Sequence, residues 1–161
     1  GNQWYFGMKA HAGVDAGTGL VHSVSVTAAN VHDLDEITHL VRGDDRVVYA
    51  DAGYQGVEKR PEIVGDEHLS QVEWRVAARK GALKAMHPHD QQLESRKASV
   101  RAKVEHVFLI VKRDFGFTKT RYRGLAKNLN QLQVAMASAN LLMRARAITI
   151  ETRLRTAVAT G

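Results

Sequence analysis

The stretch RVVYADAGYQG, residues 46–56, joins an apolar run to a carboxylate and a glycine-bounded turn. The run VVYA is typical of a buried strand, and Asp51 ends it. Gly53 and Gly56 follow at once and favour a sharp change of direction. Two roles are open to Asp51. It could cap the next element through its side-chain oxygen, or it could hold a metal ion together with ligands from elsewhere in the chain.

The residues before this strand predict a β-hairpin followed by a helix. Residues 4–29 read as two strands, the second with alternating polar and apolar side chains, and Gly17 and Gly19 lie in the turn between them. In NVHDLDEITHLV the apolar residues then fall at helical spacing. This predicts a helix over about 33–42, with Asn30 and Asp33 as capping candidates.

The residues after the strand alternate between short elements. Residues 53–65 predict a turn and a short broken helix, because Pro61 limits its length. EWRVAAR, residues 73–79, is typical of a fourth strand. Residues 80–95 are mixed in polarity and contain a proline, so they predict a surface loop or a weak helix.

The last third of the chain predicts two long helices. From residue 96 the apolar spacing becomes helical, with a core stripe formed by Val100, Val104, Val107, Phe108 and Val111. A second helix is predicted over about 125–146, with an apolar stripe of Leu125, Leu129, Leu132, Met136, Ala139 and Met143. Residues 151–161 are expected to form a disordered tail. The order of elements predicts an α/β domain over residues 1–150, in which helices flank a mixed sheet.

Composition limits the classes of protein that this chain can represent. Its 161 residues suffice for one domain with a hydrophobic core, and 44% hydrophobic and 25% charged residues are typical of a globular protein in water. There is no cysteine, which excludes disulfides and thiolate metal sites. No apolar run approaches the roughly 20 residues that a membrane-spanning helix needs.

Positive charge is concentrated in one segment. The net charge is +6, but residues 96–127 contain ten Lys and Arg against Glu105 and Asp114, a local charge of 10 − 2 = +8. The remainder of the chain therefore carries 6 − 8 = −2. Such a segment is the electrostatic pattern expected for binding a phosphate backbone. A solvated helix face or an acidic protein partner would also explain it.

Three charged residues share one side of the helix that carries this charge. On a helical wheel, Arg101, Glu105 and Lys112 lie within about 40° of one another and form a polar line beside the apolar stripe. A carboxylate there could face a cleft between two cations. An ordinary Arg–Glu ion pair at four-residue spacing is the alternative explanation. Lys9 and His11, alternate residues of the first strand, could face the same cleft, although a structural role would suit each of them.

The quoted stretch, together with RAKVEHVFLIVKRDFGFTKTRYRGLAKN, resembles the catalytic domain of bacterial insertion-sequence DDE transposases, in the IS4/IS5 supergroup and nearest the IS5 group. DAGYQG resembles the family's second-aspartate motif. Arg101, Glu105 and Lys112 match its arginine–glutamate–lysine signature, with three and six residues between them. The resemblance extends to about residue 146. One departure is Ala98, where the family signature often has tyrosine.

The resemblance implies an RNase H-like fold and a DNA transposase activity, in which metal ions assist the cleavage and transfer of DNA strands. Asp51 and Glu105 would be catalytic residues and ligands of Mg²⁺ or Mn²⁺, with two ions in the complete enzyme. The family's first catalytic aspartate lies upstream of the hairpin, and no residue here matches it. Asp15 lies at the hairpin turn, where an Asx-turn role fits better. The resemblance therefore implies an N-terminally truncated catalytic domain.

The resemblance also implies partners and a location. The partners would be DNA, as transposon ends and target, and a second transposase chain through self-association or pairing with a full-length copy. The protein would act at the nucleoid in the bacterial cytoplasm. The residues expected to contact DNA are Arg101, Lys112, Arg113, Lys119, Arg121 and Arg123. Two other functions remain open, namely a catalytically dead DNA-binding remnant and an RNase H-like nuclease without strand transfer.

Overall fold

The computed structural model describes the backbone of residues 7–159 and the side chains of residues 7–156. It begins with the predicted antiparallel hairpin, β1 (Met8–Val14) and β2 (Val21–Ala28). The first residues of that prediction, from Trp4, lie outside the described part. The Asp15 carboxylate accepts hydrogen bonds from the Thr18 backbone N–H and hydroxyl, both at 2.6 Å, which confirms the Asx-turn role.

The helix predicted after the hairpin is shorter than expected. A 3₁₀ turn over Asp33–Glu36 leads into α1 (Ile37–Leu40), and the chain becomes extended at Val41. The capping group is the ring of His32, whose Nδ1 accepts from the Leu34 N–H at 3.3 Å, rather than Asn30 or Asp33. Asp33 instead pairs with a lysine of β1, as described below.

The predicted strands on either side of Pro61 are present and form a second sheet. β3 (Val47–Ala50) and β4 (Glu73–Val76) run parallel. The connection contains α2 (Pro61–Val64), for which proline provides the first helical residue. This connection and α1 enclose a small buried core formed by Ile37, Val57, Ile63 and Leu69.

The segment predicted as a surface loop or weak helix, residues 80–95, is largely helical. A single turn, α3 (Lys80–Leu83), precedes α4 (Pro88–Asp114). Proline at the first position, with the His87 ring accepting from the His89 N–H at 3.3 Å, is a favourable helix start. The proline that argued against a helix in this segment is therefore the residue that begins it.

The last helix, α5 (Leu125–Ala159), packs with α4 over the hairpin. Their shared core consists of Val107, Ile110, Val111, Leu132, Ala135, Met136 and Ala139. Most of the predicted stripes are confirmed, but Leu125 is exposed. The helix passes Ile150 and reaches Ala159, whereas a disordered tail was expected from residue 151; residues 160–161 lie outside the described part.

The described strands form two separate two-stranded sheets rather than one mixed sheet. The hairpin sheet is antiparallel, the β3–β4 sheet is parallel, and α4 packs against both β1 and β3. The architecture is α/β, as predicted, but the sheet is divided. The division leaves a cleft between β1 and β3.

Candidate functional site

The cleft between the two sheets has a volume of about 570 Å³. β1 and β3 form its sides, and residues of α1 and α4 complete its lining. Among the charged side chains that line it, five come from four separate parts of the chain, namely Lys9, Asp33, Asp51, Arg101 and Glu105. Three of these, Asp51, Arg101 and Glu105, were predicted from the sequence to belong to one site, and the fold brings them to the same cleft.

Asp51 takes the capping role that the sequence left open. Its Oδ1 accepts a hydrogen bond from the Gly53 N–H at 2.7 Å and caps a 3₁₀ turn over Ala52–Tyr54. A methyl group added at Gly53 would lie 2.9 Å from the same oxygen, so glycine allows this close approach. The side chain is exposed to the cleft, and no described residue donates a hydrogen bond to Oδ2. Asp51 can therefore cap the turn with one oxygen and offer the other to a ligand.

Glu105 lies on α4, exposed and facing the cleft, with half-buried Arg101 one turn before it. Among the described side chains, the two form no ion pair with each other, so the ordinary explanation for their four-residue spacing is not observed. One turn before Arg101, Lys97 Nζ instead pairs with Glu94 Oε1 at 2.7 Å. The Glu105 carboxylate is consequently available to a ligand.

Asp33 is a charged residue of the cleft that the sequence analysis did not identify as functional. The Lys9 ammonium donates to Asp33 Oδ1 at 3.0 Å and to the Val31 carbonyl at 2.8 Å. This places a carboxylate beside β1, opposite the end of β3. The sequence marked Asp33 only as a helix cap, because no local pattern reports a contact across more than twenty residues.

The electrostatics of Tyr54 show that this end of the cleft is acidic. Burial, followed by the negative charges of Asp33, Asp51 and Glu36, raises the pKa of the Tyr54 phenol to about 12. The phenol is protonated at neutral pH, as an ordinary tyrosine is, and can donate a hydrogen bond. The same field favours binding of a cation.

His11, which could also have faced a ligand, has a structural role. It is buried, and its Nε2 lies 2.9 Å from the Thr27 hydroxyl on β2. Burial lowers the pKa of its imidazole, against the opposing effect of Asp33 and Glu36. The ring is therefore neutral at pH 7 and fixes the two strands of the hairpin to each other.

The donors in the cleft fit a hard divalent cation only in part. Within residues 7–156, no group of three or more His, Asp or Glu side chains is close enough to hold a metal ion. Asp51 and Glu105 nevertheless supply the oxygen ligands that Mg²⁺ prefers, and Mg²⁺ is commonly held by one or two carboxylates together with substrate phosphate and water. The arrangement suits an ion shared with a phosphate rather than one held by protein ligands alone.

The six residues expected to contact DNA divide into two groups. Arg101 lines the cleft, whereas Lys112 is exposed near the end of α4 and is not part of the lining. The others, Arg113, Lys119, Arg121 and Arg123, are exposed at that end of α4 and in the loop that follows. Arg113 is already paired, with its Nε 2.6 Å from Asp114 Oδ1. These exposed residues, Lys112, Arg113, Lys119, Arg121 and Arg123, are together called the basic surface, and they lie outside the lining of the cleft.

Asn128 organises the basic loop and was missed by the sequence analysis. It is 1% exposed, and its Nδ2 donates to the carbonyls of Tyr122 and Gly124, both at 2.7 Å. Gly124 has φ +83°, a conformation that side chains other than glycine rarely adopt. Together they fix the loop bearing Arg121 and Arg123 to the start of α5. The only sequence signal was a polar residue within an apolar helical pattern.

The class of protein that emerges is an α/β domain with an acidic cleft beside a basic surface. A comparison with protein families matches residues 1–141 to the transposase DDE domain. The chain belongs to this family, and DNA is the partner that the family implies. No solved structure matches the chain. In the described residues, no helix is both long and apolar enough to cross a membrane.

Proposed function

We propose that the chain binds DNA through its basic surface and supports metal-dependent DNA strand cleavage and transfer at insertion-sequence ends, with Asp51 and Glu105 as metal-binding catalytic residues. The affiliation with the IS5 group, the RNase H-like fold and the use of Mg²⁺ are parts of this proposal. The observation that carries it is that Asp51 and Glu105, from separate elements, line one cleft together with Arg101.

Each residue has a role that follows from its position. Arg101, half-buried in the cleft, would hold a phosphate beside the two carboxylates through its planar guanidinium. Lys112, Lys119, Arg121 and Arg123 would guide the adjoining DNA backbone toward the cleft. A divalent cation, when bound, would polarise the phosphate and stabilise negative charge on the oxygens of the reaction.

A second function, DNA binding without catalysis, is favoured by one specific observation. No cluster of three or more metal-binding side chains occurs within residues 7–156. With Asp51 and Glu105 as its only carboxylate ligands, a two-ion site would lose one charged ligand, and turnover would be severely reduced. The basic surface would still bind DNA, since phosphate contacts do not depend on the carboxylates.

Nicking of supercoiled plasmid in Mg²⁺ or Mn²⁺ separates the two functions. We expect nicking by the parent chain that Asp51→Asn and Glu105→Gln each abolish, because each substitution removes a charged ligand. Glu151→Gln, which changes an exposed glutamate on α5 outside the cleft, is the matched control and should nick normally. DNA binding by all four proteins in EDTA, with affinity falling steeply as salt rises, shows that the variants are folded and competent.

The outcomes have distinct meanings. Salt-sensitive DNA binding without nicking by the parent chain would leave DNA binding as the function. Nicking that survives both substitutions would show that other residues cleave the DNA. A joining assay with a pre-cut end then separates transfer from hydrolysis, since a nuclease without strand transfer gives no joined product.

A further inference from the structure

The cleft contains a hydrogen-bond donor with no acceptor in the described part of the chain, the phenol of Tyr54. Tyr54 lines the cleft and is half-buried, yet no described residue shares a hydrogen bond with its hydroxyl. Within the described residues that are not exposed, Gln131 Oε1 is the side-chain atom that is both sealed from solvent and unpartnered. The Tyr54 hydroxyl is therefore open to the cleft and accessible to a ligand.

The second tyrosine of the lining shows the contrast. The Tyr49 hydroxyl accepts a hydrogen bond from Arg75 Nη1 at 2.6 Å, and the Arg75 guanidinium lies 5.4 Å from the centre of the Tyr49 ring. Tyr49 thus joins β3 to β4 through its side chain, as a structural residue does. Tyr54 has its hydroxyl free in the same cleft.

The backbone holds Tyr54 close to Asp51. The Tyr54 N–H donates to the Asp51 carbonyl at 3.1 Å and closes the 3₁₀ turn that Asp51 caps, so the two residues lie one turn apart. The Tyr54 ring packs against the small buried core around Val57, which fixes its orientation. The hydroxyl is therefore positioned beside the candidate metal ligand by the turn and by the core together.

The charges around the hydroxyl limit the acceptor that it can bind. Burial raises its pKa most, followed by the negative charges of Asp33 and Asp51 from the two sides of the cleft. Neither carboxylate accepts a hydrogen bond from the phenol, since Asp33 Oδ1 accepts from Lys9 and Asp51 Oδ1 from the Gly53 N–H. An anion alone is repelled from this position, whereas a phosphate oxygen that shares a cation with Asp51 is not.

We propose that the Tyr54 hydroxyl donates a hydrogen bond to the DNA phosphate that shares a divalent cation with Asp51, as a further substrate-binding residue of the cleft. The inference rests on the proposed function, because it places the phosphate in the same site. Arg101 would attract this phosphate through its charge whether or not a cation is present. Tyr54 contributes a neutral donor whose contact depends on the cation, so the contributions of the two residues are separable.

The test compares DNA affinity with and without a divalent cation. Tyr54→Phe keeps the ring in its core and removes only the hydroxyl. Affinity for a linear plasmid fragment is measured in EDTA and in Ca²⁺, which takes oxygen ligands as Mg²⁺ does. We expect the parent to bind more tightly in Ca²⁺ than in EDTA. Tyr54→Phe should match the parent in EDTA and bind about tenfold more weakly than the parent in Ca²⁺, because it lacks a hydrogen bond to a charged group.

Tyr49→Phe is the matched control. It removes a hydroxyl from the same lining, but one that accepts from Arg75, so it should lower the urea midpoint and leave Ca²⁺-dependent DNA binding unchanged. Tyr54→Phe should show the reverse pattern, with an unchanged urea midpoint, because no described residue loses a partner. This exchange of effects between the two tyrosines is a result that a merely structural role for Tyr54 does not produce.

Asp51→Asn separates this inference from the proposed cleavage. It should reduce the Ca²⁺-dependent gain in affinity, and Tyr54→Phe should add little to it, since both residues act on the same phosphate. A parent chain that does not nick DNA, but whose Ca²⁺-dependent gain is reduced by both substitutions, would support Tyr54 as a binding residue and contradict cleavage. Nicking that Asp51→Asn abolishes, with Tyr54→Phe equal to the parent in Ca²⁺ binding, would retain cleavage and reject the role of Tyr54.

Three further results would overturn the inference. One is a parent chain that gains no affinity in Ca²⁺, because no phosphate would then share a cation with Asp51. A second is equally weakened binding of Tyr54→Phe in EDTA and in Ca²⁺, which would show a contact independent of the cation. The third is a fall in the urea midpoint of Tyr54→Phe as large as that of Tyr49→Phe, which would assign the hydroxyl a structural role.

Discussion

The two halves of the molecule are stabilised in different ways. The hairpin sheet lies under two long helices and shares their buried core. The β3–β4 sheet has a smaller core made with α1 and the turns of its own connection. Long-range polar contacts also differ, since Asn140 of α5 binds the hairpin at Val21, while Glu94 and Lys97 of α4 bind the end of β4. The cleft lies at the boundary between the two halves.

The largest expected effect is a loss of stability when the core that the hairpin sheet shares with α4 and α5, here called the hairpin half, is disturbed. Leu132→Ala removes a fully buried side chain from the contact between α4 and α5, and should lower the free energy of unfolding by about 2–5 kcal/mol. Urea denaturation measures it. Leu141→Ala, at a residue 74% exposed on the same helix, is the matched control and should change stability little. Equal losses in the two variants would show that the α4–α5 core does not stabilise this half.

A smaller loss is expected from the polar contact between α5 and β2. The Asn140 amide accepts from the Val21 N–H and donates to its carbonyl, both at 2.8 Å, so Asn140→Ala leaves two backbone groups without partners. We expect a cost of about 1–3 kcal/mol, measured by urea denaturation. Asn130→Ala, an exposed asparagine on the same helix, should be nearly neutral. Faster hydrogen exchange should be confined to β2 and spare β4, and uniform acceleration would contradict two separately stabilised halves.

The next effect is on DNA affinity rather than on the fold. Asn128→Ala removes the hydrogen bonds that hold the loop carrying Arg121 and Arg123 to the start of α5. The loop would then lose conformational entropy when DNA orders it, and this loss would oppose binding. We expect affinity to fall several-fold, with little change in the salt dependence because the phosphate contacts are retained. Arg121→Ala provides the contrast, since it should reduce both affinity and the slope against salt. Unchanged affinity in Asn128→Ala would mean that loop order is irrelevant to binding.

The smallest effect is a pH dependence located in the hairpin half. Burial lowers the pKa of His11 and of His22 in the folded protein, so their neutral forms are favoured. Each contributes stability above the unfolded pKa near 6.5, and that stability is lost as the pH falls through the lower folded value. Asp33, Glu36 and Lys9 all act on His11, and the two carboxylates reduce the effect.

Urea midpoints at pH 7.5 and 5.5 measure this dependence. The parent should lose stability on acidification, and His11→Gln should lose less, because it removes one titrating group while keeping a polar side chain beside Thr27. Identical pH dependence in the two proteins would contradict the role assigned to His11.

Local pattern predicted the elements better than their boundaries or their assembly. Alternation and glycine turns were sufficient for the hairpin and for β3, and helical spacing was sufficient for Val107 and Val111 as buried residues. Proline misled the prediction of α4, because its effect depends on position, favourable at the first helical residue and disruptive in the interior.

Features that depend on distant parts of the chain could not be predicted in the same way. The division into two sheets depends on which strands pair, and the Lys9–Asp33 contact joins segments with no shared periodicity. Asp51 and Glu105 were identified by motif resemblance, and the structure adds that they line one cleft. Asn128 shows the limit most clearly, since one buried amide in an amphipathic helix has no distinctive sequence signature.

The contact between Asp51 and Gly53 has a consequence for genetics. Because any side chain at position 53 would meet the Asp51 carboxylate oxygen at 2.9 Å, the two positions should be epistatic. Alanine at position 53 should displace the Asp51 carboxylate and weaken its hydrogen bond to the residue 53 N–H, at a small cost in stability, and this cost should disappear once residue 51 is shortened to alanine. A residue without any functional group thus restricts the orientation of the carboxylate two positions before it.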